Sequence, residues 1–127
     1  MSDKIIEINN TKYRQACRSD ELREGAGMAV GSDKAFSPGW ALFRHNGELY
    51  CFENNCPHRH SNLLHKGLLK VGVLTCPLHG WEFDLESGAN VSGDGTRGIR
   101  KIKAVEFEGF IYIEVIEESR PKWMQQR

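Results

Sequence analysis

The sequence predicts an all-β fold, on the evidence of its segment spacing and its turn residues. Short segments rich in β-branched and aromatic residues recur between turn residues, a spacing typical of antiparallel sheets. Two of the breaks are hairpin signals: Asn46-Gly47, which suits a type I′ turn with positive φ at both central residues, and Glu108-Gly109. The one helical signal, a capping side chain at Ser19, is cut short by Gly25, so no helix is expected to organise the fold.

The strands are expected, in chain order, at Lys4–Ile8, Tyr13–Cys17, Met28–Gly31, Trp40–Arg44, Leu49–Glu53, Val73–Thr75, Trp81–Asp84, Ile99–Phe107 and Phe110–Ile116. A further hairpin is expected over residues 68–75, with its turn at Gly72. The segment 117–127 is charged, contains Pro121 and lacks strand alternation, so it is expected to be a C-terminal tail pinned by Trp123. The whole chain of 127 residues is expected to form a single domain.

Charge and hydropathy limit the classes of partner. Lys plus Arg and Asp plus Glu are balanced at 17 each, so there is no overall positive field to collect nucleic acid or acidic membranes. No segment approaches the roughly 20 apolar residues of a membrane span, and the first residues lack the apolar core of a secretory signal. A soluble, cytoplasmic and monomeric protein is expected, without disulfides among its 4 cysteines.

The main chemical signal is a pair of short motifs, Cys56-Pro57-His58 and Cys76-Pro77-Leu78-His79. Each motif brings one thiolate and one imidazole into a tight turn, and the proline after each cysteine stiffens the loop by fixing φ. If the two loops face each other, two cysteines can hold one iron and two histidines the other, which is the ligand set of a Rieske cluster. The hairpin predicted between the motifs would bring them together.

A structural zinc site is the alternative reading of these four residues, because zinc also takes two sulfurs and two ring nitrogens. Zinc fingers group their cysteines on one element and their histidines on a following helix, whereas here the two residue types alternate between two loops. The pattern therefore favours the iron–sulfur cluster.

The sequence resembles the Rieske ferredoxins and the Rieske domains of ring-hydroxylating oxygenases over roughly residues 12–115. The matching residues are Cys56-Pro57-His58-Arg59, Leu63, Gly67-Leu68-Leu69, Cys76-Pro77-Leu78-His79-Gly80-Trp81-Glu82-Phe83-Asp84 and Ser87-Gly88. The resemblance implies a Rieske fold, with a small cluster-binding subdomain on a β-sandwich base. It also implies one 2Fe-2S cluster held by Cys56, His58, Cys76 and His79, on loops at about 56–65 and 76–83.

Two departures separate the chain from the similar Rieske proteins of cytochrome bc complexes. Those proteins carry an extra cysteine in each loop, where this chain has Ser61 and Leu78, and they place hydroxyl donors near the cluster where it has Trp81 and Phe83. Fewer hydrogen bonds to the sulfurs stabilise the reduced cluster less, so a reduction potential near the low end of the roughly −150 to +300 mV Rieske range is expected. In addition, the third loop, at about 88–98, is rich in glycine and lacks the family's proline.

The remaining candidate residues have ordinary structural readings. His60 and His65 are expected to be solvated loop residues, and His45 a turn residue. Cys17 and Cys51 lie in apolar strand patterns and are expected to fill the core. The glycine pattern at residues 93–98 matches a dinucleotide-binding motif, but a strand rather than the required helix is predicted to follow it.

The length of the chain argues against an oxygenase. Such an enzyme also needs a mononuclear iron, held by two histidines and a carboxylate, in a domain much larger than this chain provides. We therefore expect no catalytic residues and an electron carrier: the resemblance implies a ferredoxin that passes electrons from a flavoprotein reductase to a terminal oxygenase. The alternative is a small Rieske subunit, or a redox-sensing module, of a larger oxidoreductase.

Overall fold

The strands of the chain form three antiparallel sheets. The computed structural model describes residues 4–31, 39–54, 64–77, 80–92 and 98–115. Its strands are β1 Ile5–Ile8, β2 Thr11–Arg18, β3 Gly27–Val30, β4 Trp40–His45, β5 Glu48–Glu53, β6 Leu68–Lys70, β7 Val73–Thr75, β8 Glu82–Asp84, β9 Lys101–Ile102, β10 Ala104–Phe107 and β11 Phe110–Glu114. Short 3-10 helices lie at Ser19–Glu21 and Leu64–Lys66. No helix in these ranges is long and apolar enough to cross a membrane.

The sheets have separate roles. The outer sheet has the order β1-β2-β11-β10, the central sheet β3-β4-β5-β9, and the small sheet β6-β7-β8. The outer and central sheets make the β-sandwich base, and the small sheet belongs to the subdomain. This arrangement confirms the predicted all-β Rieske fold.

The central sheet is buried on both faces. Successive side chains of a strand point to opposite faces, so each strand can serve two cores. Leu42 and Cys51 face the base core, which also holds Ile102, Ile111 and Ile113 from neighbouring strands. The opposite face contributes to the subdomain core, whose buried members are Ala41, Phe43, Tyr50, Phe52, Leu64, Leu74, Cys76, Phe83, Leu85 and Ile99. The subdomain thus rests on the base through a shared sheet.

Tight turns join the hairpins as the sequence predicts, with one addition. The predicted turns at Asn46-Gly47 and Glu108-Gly109 are confirmed by positive φ at both residues of each: 54° and 78° in the first, 50° and 84° in the second. The predicted turn at Gly72 is confirmed by its φ of 73° and by the pairing of β6 with β7. The sequence analysis missed a fourth turn, Asn9-Asn10, where asparagine takes φ values of 51° and 68° between β1 and β2.

Two predictions about secondary structure are wrong. The strand predicted over 99–107 is two strands in different sheets, because β9 pairs with β5 whereas β10 pairs with β11. The chain changes sheet at Lys103, whose amide donates to the Glu114 carboxylate at 3.0 Å. Ser19 does not cap the first 3-10 helix: it is the first residue of that helix, and the Glu21 carboxylate accepts the amide of the preceding Arg18 at 2.8 Å.

Candidate metal centre

Of the four predicted cluster ligands, the described part of the chain contains Cys76. Cys56, His58 and His79 lie outside it, as do His60 and Ser61. Among the described residues no group of three or more histidines, cysteines or acids is placed to hold a metal ion. The described residues of the site flank three segments, 55–63, 78–79 and 93–97.

The second loop begins and ends in a tight turn. Cys76 directly follows β7 and is 2% exposed. Its amide donates to the Trp81 carbonyl at 2.7 Å, and the Gly80 amide donates to the Cys76 carbonyl at 3.1 Å. Gly80 has a φ of 76°, a conformation that glycine adopts without steric cost. The described residues on either side of positions 78–79 are thus hydrogen-bonded to each other at Cys76.

The first loop is joined at its base by Asn54 and His65. The Asn54 side-chain oxygen accepts the His65 backbone amide at 3.1 Å, and Asn54 Nδ2 lies 3.1 Å from His65 Nδ1. The reading of His65 as a solvated surface residue is therefore wrong: the ring is half-buried, and burial lowers its pKa, with a further contribution from Lys66. The pattern missed this role because nothing in the sequence pairs Asn54 with His65.

A backbone hydrogen bond joins the two described ends of the third loop. The Ile99 amide donates to the Gly88 carbonyl at 2.7 Å. Gly88 has a φ of 80°, and a Cβ there would overlap the Ile99 carbonyl oxygen. A Cβ at Gly98 would overlap the Gly88 carbonyl oxygen in turn. The glycines of this stretch are thus explained at its base by close backbone approach, and the chain continues into β9 and not into a nucleotide-binding helix.

The described residues fit a metal–sulfur group beside Cys76. The cysteine is a free thiol, buried where a ligand sulfur is shielded from water. A thiolate with a neighbouring imidazole is the donor set that Rieske clusters use.

Comparison with known families decides the class. The family model described as the Rieske [2Fe-2S] domain matches residues 12–103. The chain belongs to the Rieske family. Like the family, it carries one Rieske-type 2Fe-2S cluster, as the sequence predicts.

Related Rieske proteins differ greatly in length. The chain is 29% identical over 103 residues to the 3-phenylpropionate/cinnamic acid dioxygenase ferredoxin subunit of Photorhabdus laumondii, a match that covers 81% of this chain and 94% of that protein. It is 31% identical over 106 residues to the cholesterol 7-desaturase of Hemicentrotus pulcherrimus. That match covers 75% of this chain, which spans only 21% of the desaturase.

Solved Rieske structures have the same fold. The ferredoxin of Sphingomonas yanoikuyae B1 superimposes with a TM-score of 0.70 at 24% identity, over 82% of this chain and 99% of that one. A putative NADH-dependent nitrite reductase small subunit from Mycobacterium tuberculosis gives a TM-score of 0.70 at 23% identity, over 91% of this chain and 100% of that one. These likenesses establish the fold.

Aromatic side chains pack in the core that holds Cys76. Phe83 is fully buried in the same core as Cys76, and Trp81 packs against that core from a partly buried position. The other two described cysteines lie on the base side of the central sheet. Burial raises the pKa of the half-buried Cys17 thiol to about 11, helped by Glu21, and burial also raises the pKa of Cys51. Both thiols stay protonated at neutral pH and fill the core as predicted.

Proposed function

We propose that this chain is a one-electron carrier of the Rieske ferredoxin type, which accepts electrons from a flavoprotein reductase and delivers them to a terminal oxygenase. The observation that carries the proposal is the match to a dioxygenase ferredoxin subunit, which covers 81% of this chain and 94% of that subunit. When bound, a Rieske cluster takes up and releases one electron at a time. The proposal treats residues 1–127 as a single domain.

The proposed ligands are Cys56 and Cys76 for one iron and His58 and His79 for the other. Support comes from the buried Cys76 thiol at the base of the second loop and from the clasp of Asn54 and His65 at the base of the first. Asn54 and His65 lie on either side of the segment that contains Cys56 and His58, and Cys76 and Trp81 lie on either side of His79. The described residues thus hold the ends of both ligand segments in place.

We also propose that the chain carries no catalytic site of its own. A mononuclear iron site would need two further histidines and a carboxylate. Of the three histidines that remain, His65 is bonded to Asn54, His45 is the last residue of β4, and His60 lies outside the described residues. Free thiols at Cys17 and Cys51 fit a reducing compartment, so the proposal includes a cytoplasmic location. It also includes a monomeric state.

A second candidate is a permanent small subunit of a larger oxidoreductase. The nitrite reductase small subunit favours it, because that fold covers 91% of this chain. Iron and sulfide content does not distinguish the two functions, because both need the cluster. The lifetime of the complex between this chain and its partner protein does distinguish them. A carrier must leave its reductase before it reaches its oxygenase, while a subunit stays bound.

The deciding experiment uses tagged full-length protein expressed in its native host. Size-exclusion chromatography should give a monomer with two irons and two sulfides per chain, reduced within seconds by a flavoprotein reductase and reoxidised by an oxygenase of the same host. Iron and sulfide with obligate co-purification of a large subunit would establish the second candidate. Stoichiometric zinc without sulfide would overturn both.

A further inference from the structure

Asn54 and His65 join the two ends of the segment 55–63 through one side chain. Asn54 is 2% exposed, the one buried polar or charged residue among those described. Its amide group bonds both to the backbone amide and to the ring of His65, eleven positions further along. A pair of bonds between two points of the chain restricts the distance and also the orientation of the joined ends.

The bonding pattern fixes the state of the ring. The Asn54 oxygen is occupied by the His65 backbone amide, so Nδ2 is the group that faces the ring and it acts as a donor. Nδ1 of His65 must then accept, which places the ring proton on Nε2 and keeps the ring neutral. The lowered pKa of His65, caused first by burial and then by Lys66, agrees with this state.

Both ends of the clasp are themselves attached to the central sheet. Asn54 directly follows β5, and its own amide donates to the Gly39 carbonyl at 3.0 Å, beside the start of β4. On the other side, Leu64 is fully buried in the subdomain core. The His65 carbonyl approaches Gly27 of β3 so closely that a Cβ at Gly27 would overlap it. Both residues of the clasp are therefore held against the central sheet by contacts outside the loop.

We propose that Asn54 and His65 are positioning residues for the cluster, which set the width and orientation of the base of the loop that bears Cys56 and His58. The inference rests on the proposed ligand set. Neither residue is itself a ligand. Each acts through the backbone, by holding the two described ends of the segment that carries Cys56 and His58.

The test compares cluster-loaded Asn54→Ala, Asn54→Asp and His65→Ala with the parent protein and with Lys70→Ala, an exposed substitution on β6. Asn54→Ala removes both bonds, and His65→Ala removes the ring bond alone. Asn54→Asp keeps both, because one carboxylate oxygen accepts the backbone amide and the other accepts Nδ1–H from the opposite ring tautomer. The readouts are the EPR g-values of the reduced cluster, the visible circular dichroism of the oxidised cluster and the rate of iron loss to a chelator.

We expect shifted g-values and dichroism in Asn54→Ala, a smaller shift in His65→Ala, and parental spectra in Asn54→Asp and Lys70→Ala. Iron loss should be faster by roughly 2- to 12-fold for one hydrogen bond lost. Parental spectra in both alanine variants, even with lowered stability, would reduce the clasp to a structural role and overturn the inference. If Asn54→Ala fails to fold, the same spectral comparison for His65→Ala decides. A parent protein without iron and sulfide would instead overturn the proposed function.

Discussion

Replacing Gly88 by alanine should destabilise the protein far more than the same change at Gly25. The two glycines share a φ of 80°, so both variants pay the cost of placing an L-residue in the left-handed region, about 1–2 kcal/mol. They differ in their surroundings: nothing lies within 4 Å of a Cβ at Gly25. At Gly88 the Cβ would overlap the Ile99 carbonyl oxygen and lie 3.3 Å from the carbonyl carbon.

The size of the difference follows from what must move. Relieving the overlap separates the Gly88 and Ile99 backbones and breaks the bond from the Ile99 amide to the Gly88 carbonyl, worth about 0.5–1.5 kcal/mol. Displacing packed atoms costs about 1–3 kcal/mol more. The Gly88→Ala variant should therefore be about 2–4 kcal/mol less stable than Gly25→Ala.

The assay is urea unfolding of the cluster-loaded proteins, followed by far-ultraviolet circular dichroism and by the visible absorbance of the cluster. With a slope of about 2 kcal/mol per M, the Gly88→Ala midpoint should lie about 1–2 M below that of Gly25→Ala. Visible absorbance should be lost first in Gly88→Ala, because the strain lies at the base of the third loop of the subdomain. Equal midpoints for the two variants would refute the reasoning from close backbone approach.

Three further predictions concern charge, ligation and potential. Glu106→Gln should lower stability by about 0.2–1 kcal/mol at pH 7, because the half-exposed Glu106 pairs with Arg44 at 2.9 Å. Arg44 holds the pKa of Glu106 below its ordinary 4.5, so the pair stabilises the protein above about pH 4.5 and this stabilisation is lost as pH falls through the folded-state pKa. The thermal unfolding midpoints of parent and variant should therefore converge in acid. A difference that stays constant with pH would contradict the role of the ion pair. Cys76→Ser should remove iron and sulfide and lower stability. The control is Cys51→Ser, which replaces a buried cysteine of the base core and should keep its iron and sulfide. Full iron and sulfide content in Cys76→Ser would exclude Cys76 as a ligand. The buried Phe83 offers no hydrogen-bond donor, so redox titration should place the potential near the low end of the roughly −150 to +300 mV Rieske range, and a value near the upper end would contradict the argument from missing donors.

The sequence predicted the elements that depend on local chemistry. Asn46-Gly47 and Glu108-Gly109 are turns because their residues tolerate positive φ, and the strand edges between them were predicted to within a residue or two. The split of residues 99–107 between two sheets was missed. Ile102 and Ala104 carry the same apolar alternation on either side of Lys103, and the pattern does not say which partner strand each one meets.

The site, like the turns, was predictable where its signal is local in the sequence. Cysteine and histidine spacing is a local signal that predicts the cluster class, and the Rieske family match confirmed that class. The role of His65 was not predictable, because it depends on a bond to Asn54, and the ten residues between the two carry no sign of this pairing. Likewise the need for glycine at position 88 comes from Ile99, a residue that approaches it only once the third loop has closed.

The shared central sheet has a consequence for how the protein matures. All the buried members of the base core lie outside the ligand loops: Leu22, Val30, Leu42, Cys51, Ile102, Ile111 and Ile113. The base can therefore assemble from the chain alone, and it presents the opposite face of β4 and β5 as a ready surface for the subdomain. Iron and sulfide can therefore be inserted after the base core has formed.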